Sequence, residues 1–531
     1  MKKVLLIILD GWGVSPLAEG NATYLAKTPN LDWAYENYPK TLLSASGTDV
    51  GIVASESGNS EVGHLNLGSG RVVWESLPRI DQAIEKGLFY KNQQILDVFS
   101  QAVSTGGAVH LIGLTSSGSV HSNIKHLFAL LDIAKMQKLE KVYIHFIADG
   151  RDTAPRVALS DIKLVEKKIA EVGVGSKGAS FDWKIATVCG RFFAMDRDKH
   201  FERTSKFYNL SAGGIGDSYS SASAAIDANY RAGVDDERIA PSVIDKNGIV
   251  KPGDGIIFYN FRADRMRQIL SAFEADNFSD FSRELSGNLK SATMTEYDKG
   301  QKSAVIFPPL DMTAVIADEI AEANLPQSHI AETEKYAHVT YFFNGGNEIP
   351  HKFEDFVLVP SPRALSYDLA PEMSAEEVSS KVILAISSKS QFILVNFAGG
   401  DMVGHSGNLS AATIACEKID QCLGKILSAA SGVGVTAIIT ADHGNCEQMI
   451  NPQTAEIDKE HSRNPVPFVL LDLLAKPFLP KSDQIIDRKK LLDYSSKTPS
   501  GILADIAPTI LKIIGLKKPS EMSGIDLESL I

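Results

Sequence analysis

Cysteine is scarce in this sequence, and its few occurrences are not spaced to pair. Cys189, Cys416, Cys422 and Cys446 are the four in 531 residues, and no CxxC occurs, so neither a disulfide framework nor a zinc ribbon is indicated. Long apolar runs are missing too: no stretch of about 18 apolar residues exists to span a bilayer. The run from Val4 to Leu9 is too short for a secretory core and ends in Asp10 rather than a small-residue cleavage site. It reads as a first buried strand, and we expect a cytoplasmic protein. Net positive charge is absent. With 53 Lys+Arg against 65 Asp+Glu the formal charge is −12, which argues against nucleic acid or an anionic membrane surface as the main partner. There are no internal repeats and no coiled-coil heptads. The remainder, 44% hydrophobic and 22% charged, is an ordinary globular composition.

The length exceeds what one hydrophobic core supports, and we expect two substantial cores. Short apolar, β-branched runs alternate with helical patterns: KKVLLIILDG, GAVHLIGLTS, KVYIHFIADG, KIATVCGRFF, GIIFYNFR, HVTYFFNGG, FILVNFAGG, TAIITADHG and PFVLLD. Continuous apolar strands separated by helices predict an α/β protein, two domains with largely parallel sheets flanked by helices. Two Pro-bearing stretches, Trp74 to Pro78 and Phe307-Pro308-Pro309, read as linkers. They would set a discontinuous domain, 1–75 with 310–531, apart from an inserted domain, 76–309. Near the end, DIAPTILKIIGLKKP reads as an amphipathic helix closed by Gly515.

In parallel sheets, ligands sit outside the carboxyl ends of the strands. Here nearly every apolar run ends in a polar or charged residue beside glycine, as in Asp10-Gly11, Asp149-Gly150-Arg151-Asp152, Gly190-Arg191 and Asp442-His443-Gly444. Asp401 and His405 are four apart, so one helical turn would place both on one ion. Taken singly, Asp10 or Asp401 would suit a helix N-cap, and His405 or His461 a structural histidine. Together, Asp10, Asp401, His405, Asp442, His443 and His461 are three carboxylates and three imidazoles at strand ends, a set suited to Mn²⁺ or Zn²⁺ and less to Mg²⁺. Arg151, Arg191, Arg197, Arg262 and Arg265 follow strands of the inserted segment, and Lys335 precedes HVTYFFNGG; guanidinium forks suit phosphate and carboxylate. His121 and Asp152 are candidate general acids or bases. In ESGNSEVGH the glycines flanking Ser60 suit a turn that displays its hydroxyl; Asn59, Glu61 and His64 read as loop-shaping residues, and Cys446 as a core residue without a role.

The stretches DGWG (10–13), GNSEVGH (58–64), DGRDT (149–153), GRFFAMDRD (190–198), NFRADRMRQ (260–268), ETEKYAHVTYFFNGG (332–346), DMVGHSG (401–407), ADHGN (441–445) and HSRNPVPF (461–468), in this order, closely resemble the 2,3-bisphosphoglycerate-independent phosphoglycerate mutases of the alkaline phosphatase superfamily. The resemblance implies an alkaline-phosphatase-like metal domain with an inserted phosphotransferase domain. It implies interconversion of 3-phosphoglycerate and 2-phosphoglycerate in glycolysis and gluconeogenesis, with no 2,3-bisphosphoglycerate cofactor. Two divalent ions, Mn²⁺ being our expectation, would be held by Asp401, His405 and His461 and by Asp10, Ser60, Asp442 and His443. Ser60 would be the nucleophile that becomes phosphoserine. His121, Arg151, Asp152, Arg191, Arg197, Arg262, Arg265 and Lys335 would bind the phosphoglycerate, with Asp152 shuttling the proton on glycerate and catalytic His121 contacting phosphate or the transferring oxygen, in a chain we expect to be monomeric.

The sequence departs from the pattern at Ser57, where methionine is usual, and at Gly399-Gly400, where Asn-Pro or Asn-Gly is common. We expect altered packing beside Ser60 and a more flexible loop beneath Asp401. A superfamily phosphatase or phosphopentomutase is the alternative, and DGRDT with the arginines speaks against it. A non-catalytic binding module would lack a ligand or the nucleophile, and none is missing.

Overall fold

The computed structural model of the protein describes residues 1–173, 181–283, 289–479 and 497–529. The chain divides into two compact units, Met1–Glu75 with Asp311–Ile531, and Ser76–Leu310.

The first unit is built on an eight-stranded sheet in the order Glu354–Val359, Gln327–Glu332, Phe392–Phe397, Val4–Leu9, Thr436–Thr440, Val466–Asp472, Lys40–Ser44, Gly501–Ile502. The first five are mutually parallel, and Val466–Asp472 runs antiparallel to both its neighbours. Every residue of VLLIIL and of FILVNF is buried, as expected where helices cover both faces of a parallel sheet. The longest of these helices, Leu409–Val433, packs on Ala375–Ser387 and Pro29–Asn37.

The second unit has its own eight-stranded sheet, in the order Ala304–Phe307, Lys290–Thr295, Gly255–Phe258, Val109–Leu114, Lys141–Ala148, Asp182–Gly190, Ser242–Val243, Asp217–Ser218. The first six strands are parallel. The α/β class with two largely parallel sheets is therefore the architecture of the molecule. No helix among the described residues is long and apolar enough to cross a membrane.

Three local expectations are corrected. HVTYFFNGG is not a strand: His338–Phe342 is π-helical, and the His338 and Phe342 rings, four residues apart, stack at 5.4 Å. The strand of that region is the preceding QSHIAE, Gln327–Glu332, wholly buried despite its polar composition. Its side chains are satisfied one by one, Gln327 by the Ala317 carbonyl, Ser328 by Ser390, His329 by the Val339 carbonyl and Glu332 by Ser361, which removes the cost of burying them. Ile506–Ile514 is a helix with Gly515 in the left-handed region at its C-terminus, but all its residues except Lys512 are buried, so it is a core helix rather than an amphipathic one. Gly399-Gly400 does not form a loop: both are buried in the first turn of the helix Gly399–Gly404.

Candidate active site

In the first unit, four adjacent parallel strands deliver functional side chains past the same edge. Lys335 follows Gln327–Glu332, Asp401 follows Phe392–Phe397, Asp10 follows Val4–Leu9, and Asp442 and His443 follow Thr436–Thr440. Ser60 is not in a turn, which corrects the reading of ESGNSEVGH. It is the first residue of the helix Ser60–Ser69, because the Asn59 side chain accepts the Val62 N–H at 2.9 Å as an N-cap and Glu61 occupies the positive first turn. A Cβ on Gly63 would lie 2.6 Å from the Asp442 carbonyl oxygen, so glycine there lets this helix lie against the Asp442 loop.

Ser60 Oγ lies 2.9 Å from His443 Nε2, 3.3 Å from Asp10 Oδ1 and 2.7 Å from Lys335 Nζ. Asp401 Oδ1 lies 3.2 Å from His405 Nε2 and 3.1 Å from His461 Nε2, and those two ring nitrogens are 3.0 Å apart. On each ring the other nitrogen, Nδ1, faces a carbonyl, Lys459 O at 2.7 Å for His405 and Gly58 O at 2.8 Å for His461. With Nδ1 donating to a carbonyl, Nε2 is the nitrogen each ring turns toward Asp401, and it would offer its lone pair to a cation once its proton is displaced. Two such nitrogens and a carboxylate oxygen converging in this way suit a cation. The sets Asp401, His405, His461 and Asp10, Asp401, His443 each bring their ligand atoms within 4.8 Å of one another.

The electrostatics agree. Burial and the neighbouring Asp442 push the Asp10 carboxyl above its usual range. Burial opposes ionisation of Asp401, but Lys335, His405 and His461 hold it well below that range. His405 is raised by its bond to Asp401, and His461 is raised by the same carboxylate against its own burial. Buried Lys335, 2.6 Å from Asp10 Oδ1 and 2.7 Å from Asp401 Oδ2, is pushed far up by these acids despite desolvation. This is a pocket short of positive charge.

Lys335 thus sits among the carboxylates of the first unit and not with the arginines. Three further residues join the cluster. Buried Asn396 donates to Asp10 Oδ2 at 2.7 Å and to His64 Nε2 at 3.0 Å. His64, read from the sequence as loop-shaping, is buried on the Ser60 helix, and its Nδ1 lies 3.2 Å from Asp442 Oδ2. Asn445 donates to Asp401 Oδ1 at 2.9 Å. The signals were present: His64 is one helical turn from Ser60, and Asn396 is a polar residue inside an apolar run.

In the second unit the strands Gly255–Phe258, Val109–Leu114, Lys141–Ala148 and Asp182–Gly190 are neighbours, and the residues after them form a second cluster. Buried Arg191 donates through Nη1 to Asp149 Oδ1 at 2.6 Å and to Asp152 Oδ2. Asp149 also accepts the backbone N–H groups of Arg151 and Asp152, at 3.2 and 3.0 Å, and the Ser116 hydroxyl, so one carboxylate shapes the DGRD loop. Asp264, missed in the sequence, accepts from Arg197 at 2.9 Å and lies 3.6 Å from Arg262 Nε. His121 lies 3.9 Å from Asp152 Oδ2 and 3.7 Å from Asp264 Oδ1, and its buried Nδ1 has no hydrogen-bond partner among the described residues. Burial and Arg191 lower its pKa to about 4, so the ring is neutral near pH 7. Arg265 donates to the Met195 carbonyl, and burial together with Arg191, Arg197 and Arg151 lowers its pKa. Arg151 and Arg262 are exposed, with Arg151 3.8 Å from Glu237. This cluster is short of negative charge and fits an anion.

Fold and clusters define a class, an α/β enzyme of phosphoryl transfer. A family profile described as the BPG-independent PGAM N-terminus matches residues 80–299. Proteins called 2,3-bisphosphoglycerate-independent phosphoglycerate mutase from Symbiobacterium thermophilum and Clostridium novyi are 44% and 45% identical, over 99% of this chain and 98% and 99% of theirs. A crystal structure of Leishmania mexicana phosphoglycerate mutase at low cobalt concentration is 28% identical, covers 99% of this chain and 97% of its own, and has a TM-score of 0.55. The chain belongs to the 2,3-bisphosphoglycerate-independent phosphoglycerate mutases, and is an isomerase of the intramolecular phosphotransferase kind.

Proposed function

We propose that the protein interconverts 3-phosphoglycerate and 2-phosphoglycerate by passing the phosphoryl group through Ser60. The observation that carries this reading is the placement of Ser60 Oγ, at a helix N-terminus and within 3.3 Å of His443, Asp10 and Lys335. A serine hydroxyl is a weak nucleophile unless its alkoxide is stabilised. Two divalent cations, for which we propose Mn²⁺, would be held by Asp401, His405 and His461 and by Asp10, Ser60, Asp442 and His443, supplying positive charge against the serine alkoxide and the phosphoryl oxygens. The N–H groups at the start of the Ser60 helix and the Lys335 ammonium offer further stabilisation to a phosphoryl group on Oγ.

In the forward transfer the bond from the substrate oxygen to phosphorus breaks as Ser60 Oγ bonds to phosphorus. The proton Ser60 gives up balances the one the released glycerate alkoxide takes, and the other glycerate hydroxyl must lose a proton before attacking phosphoserine, which balances the return of Ser60 to its hydroxyl form. Asp152 and neutral His121 are our candidates for moving that proton. Arg191, Arg262, Arg265, Arg151 and Arg197 would hold the carboxylate and phosphate charges by bidentate pairing, so that glycerate stays bound between the two transfers. Phosphoryl transfer needs such positioning and charge more than covalent help.

The test is direct. Ser60→Ala should lose mutase turnover while melting at the wild-type temperature, and acid-quenched wild-type enzyme should carry phosphate on Ser60. Substantial turnover in the variant overturns the nucleophile assignment. Chelation should abolish activity and Mn²⁺ restore it without 2,3-bisphosphoglycerate. Full activity in the stripped protein overturns the metal assignment.

A further inference from the structure

Glu447 lies outside the ligand set, yet it is fully buried and its hydrogen-bond neighbours are all donors. Oε2 accepts the backbone N–H of Gly13 at 2.9 Å and of Asn445 at 2.8 Å. Oε1 accepts from the Ser462 hydroxyl and from Asn464 Nδ2, the latter at 2.9 Å. Four donors on two oxygens exhaust the stronger acceptor capacity of a carboxylate, and no neutral side chain of this size can accept all four. The backbone is cut to admit it: a Cβ on Gly13 would lie 2.3 Å from Glu447 Cδ, and one on Gly444 would lie 2.6 Å from Oε1. The second glycine of DGWG is therefore explained by room for this carboxylate, and the glycine of ADHGN by room for it and for Ser462 Oγ, 2.3 Å from the same Cβ.

The four donors belong to three separate chain segments, each bearing proposed metal ligands. Gly13 closes the turn that begins at Asp10, Asn445 follows Asp442 and His443, and Ser462 and Asn464 follow His461. Backbone bonds between Cys446 N and Gly11 O, and between Ser462 N and Gly444 O, run alongside at 3.0 Å each. We propose that Glu447 is a positioning residue that sets the metal affinity of the site by clamping these three segments in register. The proposal rests on the metal reading above and deepens it.

The chemistry predicts which ion is affected. In Glu447→Gln one oxygen becomes an NH₂ group. Gly13 and Asn445 offer only N–H donors, whereas the Ser462 hydroxyl can rotate and accept, so the amide nitrogen will turn toward Ser462 and Asn464. The bonds to Gly13 and Asn445 survive, while the Asn464 amide either meets another donor or flips and gives up its 3.3 Å bond to Gln448. The His461 segment loosens, and the Asp401, His405, His461 ion weakens more than the other. Loss of an outer supporting partner costs a metal site about 10- to 100-fold in affinity.

The experiment is calorimetric titration of chelator-stripped full-length protein with Mn²⁺ alone, beside activity measured as a function of Mn²⁺. Wild type should bind two ions. Glu447→Gln should bind one of them about 10- to 100-fold more weakly, with its lost activity recovered as Mn²⁺ is raised. Ser462→Ala removes one donor at the same oxygen, should weaken the same ion, and decides the matter if Glu447→Gln does not fold. Wild-type affinities in the folded variants overturn the role of Glu447 and leave the metal site standing; so does equal weakening of both ions, which a general loss of packing would produce. A wild-type protein that binds no Mn²⁺ overturns the metal reading and this inference with it.

Discussion

Replacing Lys335 by methionine should destabilise the metal-free protein and barely affect the metal-loaded one. The Lys335 ammonium, almost fully buried, lies 2.6 Å from Asp10 Oδ1 and 2.7 Å from Asp401 Oδ2. At an effective dielectric constant of about 20, each contact is worth roughly 6 kcal/mol of gross attraction, most of which offsets the desolvation of the three charges. Removing one partner strands the others, and buried pairs broken this way cost about 3–5 kcal/mol. For a unit of this size that is a fall of roughly 6–10 °C in melting temperature. Bound cations would take over neutralisation of the same carboxylate oxygens, so the deficit should shrink to about 1 kcal/mol or less at saturating Mn²⁺. Calorimetric melting of wild type and Lys335→Met, each with chelator and with Mn²⁺, gives the four numbers needed. Equal deficits in both conditions, or none with chelator, would refute the reasoning.

Two further predictions concern other parts of the molecule. His351, 2.6 Å from Asp318 and 2.9 Å from Glu354, is pushed up to about 10 by these two acids. It keeps its proton in the folded state where the unfolded chain, near 6.5, has lost it, so its stabilisation is complete below about pH 6.5 and drains away as pH rises through about 10. The shift sets a ceiling of about 4–5 kcal/mol, and with the ring partly solvated we expect about 1–3. Urea titrations should show His351→Gln less stable than wild type at pH 6 and indistinguishable from it above pH 10; a constant difference would contradict this. In the second unit, Arg191→Lys keeps the charge but shortens the side chain, which should pull the ammonium away from Asp149 or Asp152; loss of one charge-assisted bond, about 1.5–3 kcal/mol, should lower kcat/KM about 10- to 100-fold. A change within twofold would remove Arg191 from the substrate cluster.

The strands legible in the sequence were those whose burial is written in continuous apolar residues, VLLIIL and FILVNF among them. QSHIAE was not legible, since each of its polar side chains finds its partner on another segment, and one-dimensional periodicity carries no trace of such partners. HVTYFFNGG erred the other way: a short aromatic run has no period of its own, and its His338 and Phe342 rings stack at helical spacing. The clustering of Asp10, Asp401, Asp442 and His443 was legible because parallel strands point their ends at one place. The residues that hold those ligands were harder to see, because His64, Asn396 and Glu447 act through side chains and backbone groups far away in the chain.

Lys335 and Glu447 show why the ligands alone do not define the site. Both are buried charges, but the first is surrounded by acids and the second by neutral donors. Lys335 supplies a positive charge where cations are proposed, so its contribution should depend on whether they are bound. Glu447 adds a negative charge that its hydrogen bonds already satisfy, so its contribution should be geometric and persist when metal is bound. The structure thus separates electrostatic from positional support, and the two variants should differ in kind: metal rescues the stability of Lys335→Met, whereas in Glu447→Gln it is metal binding itself that is impaired.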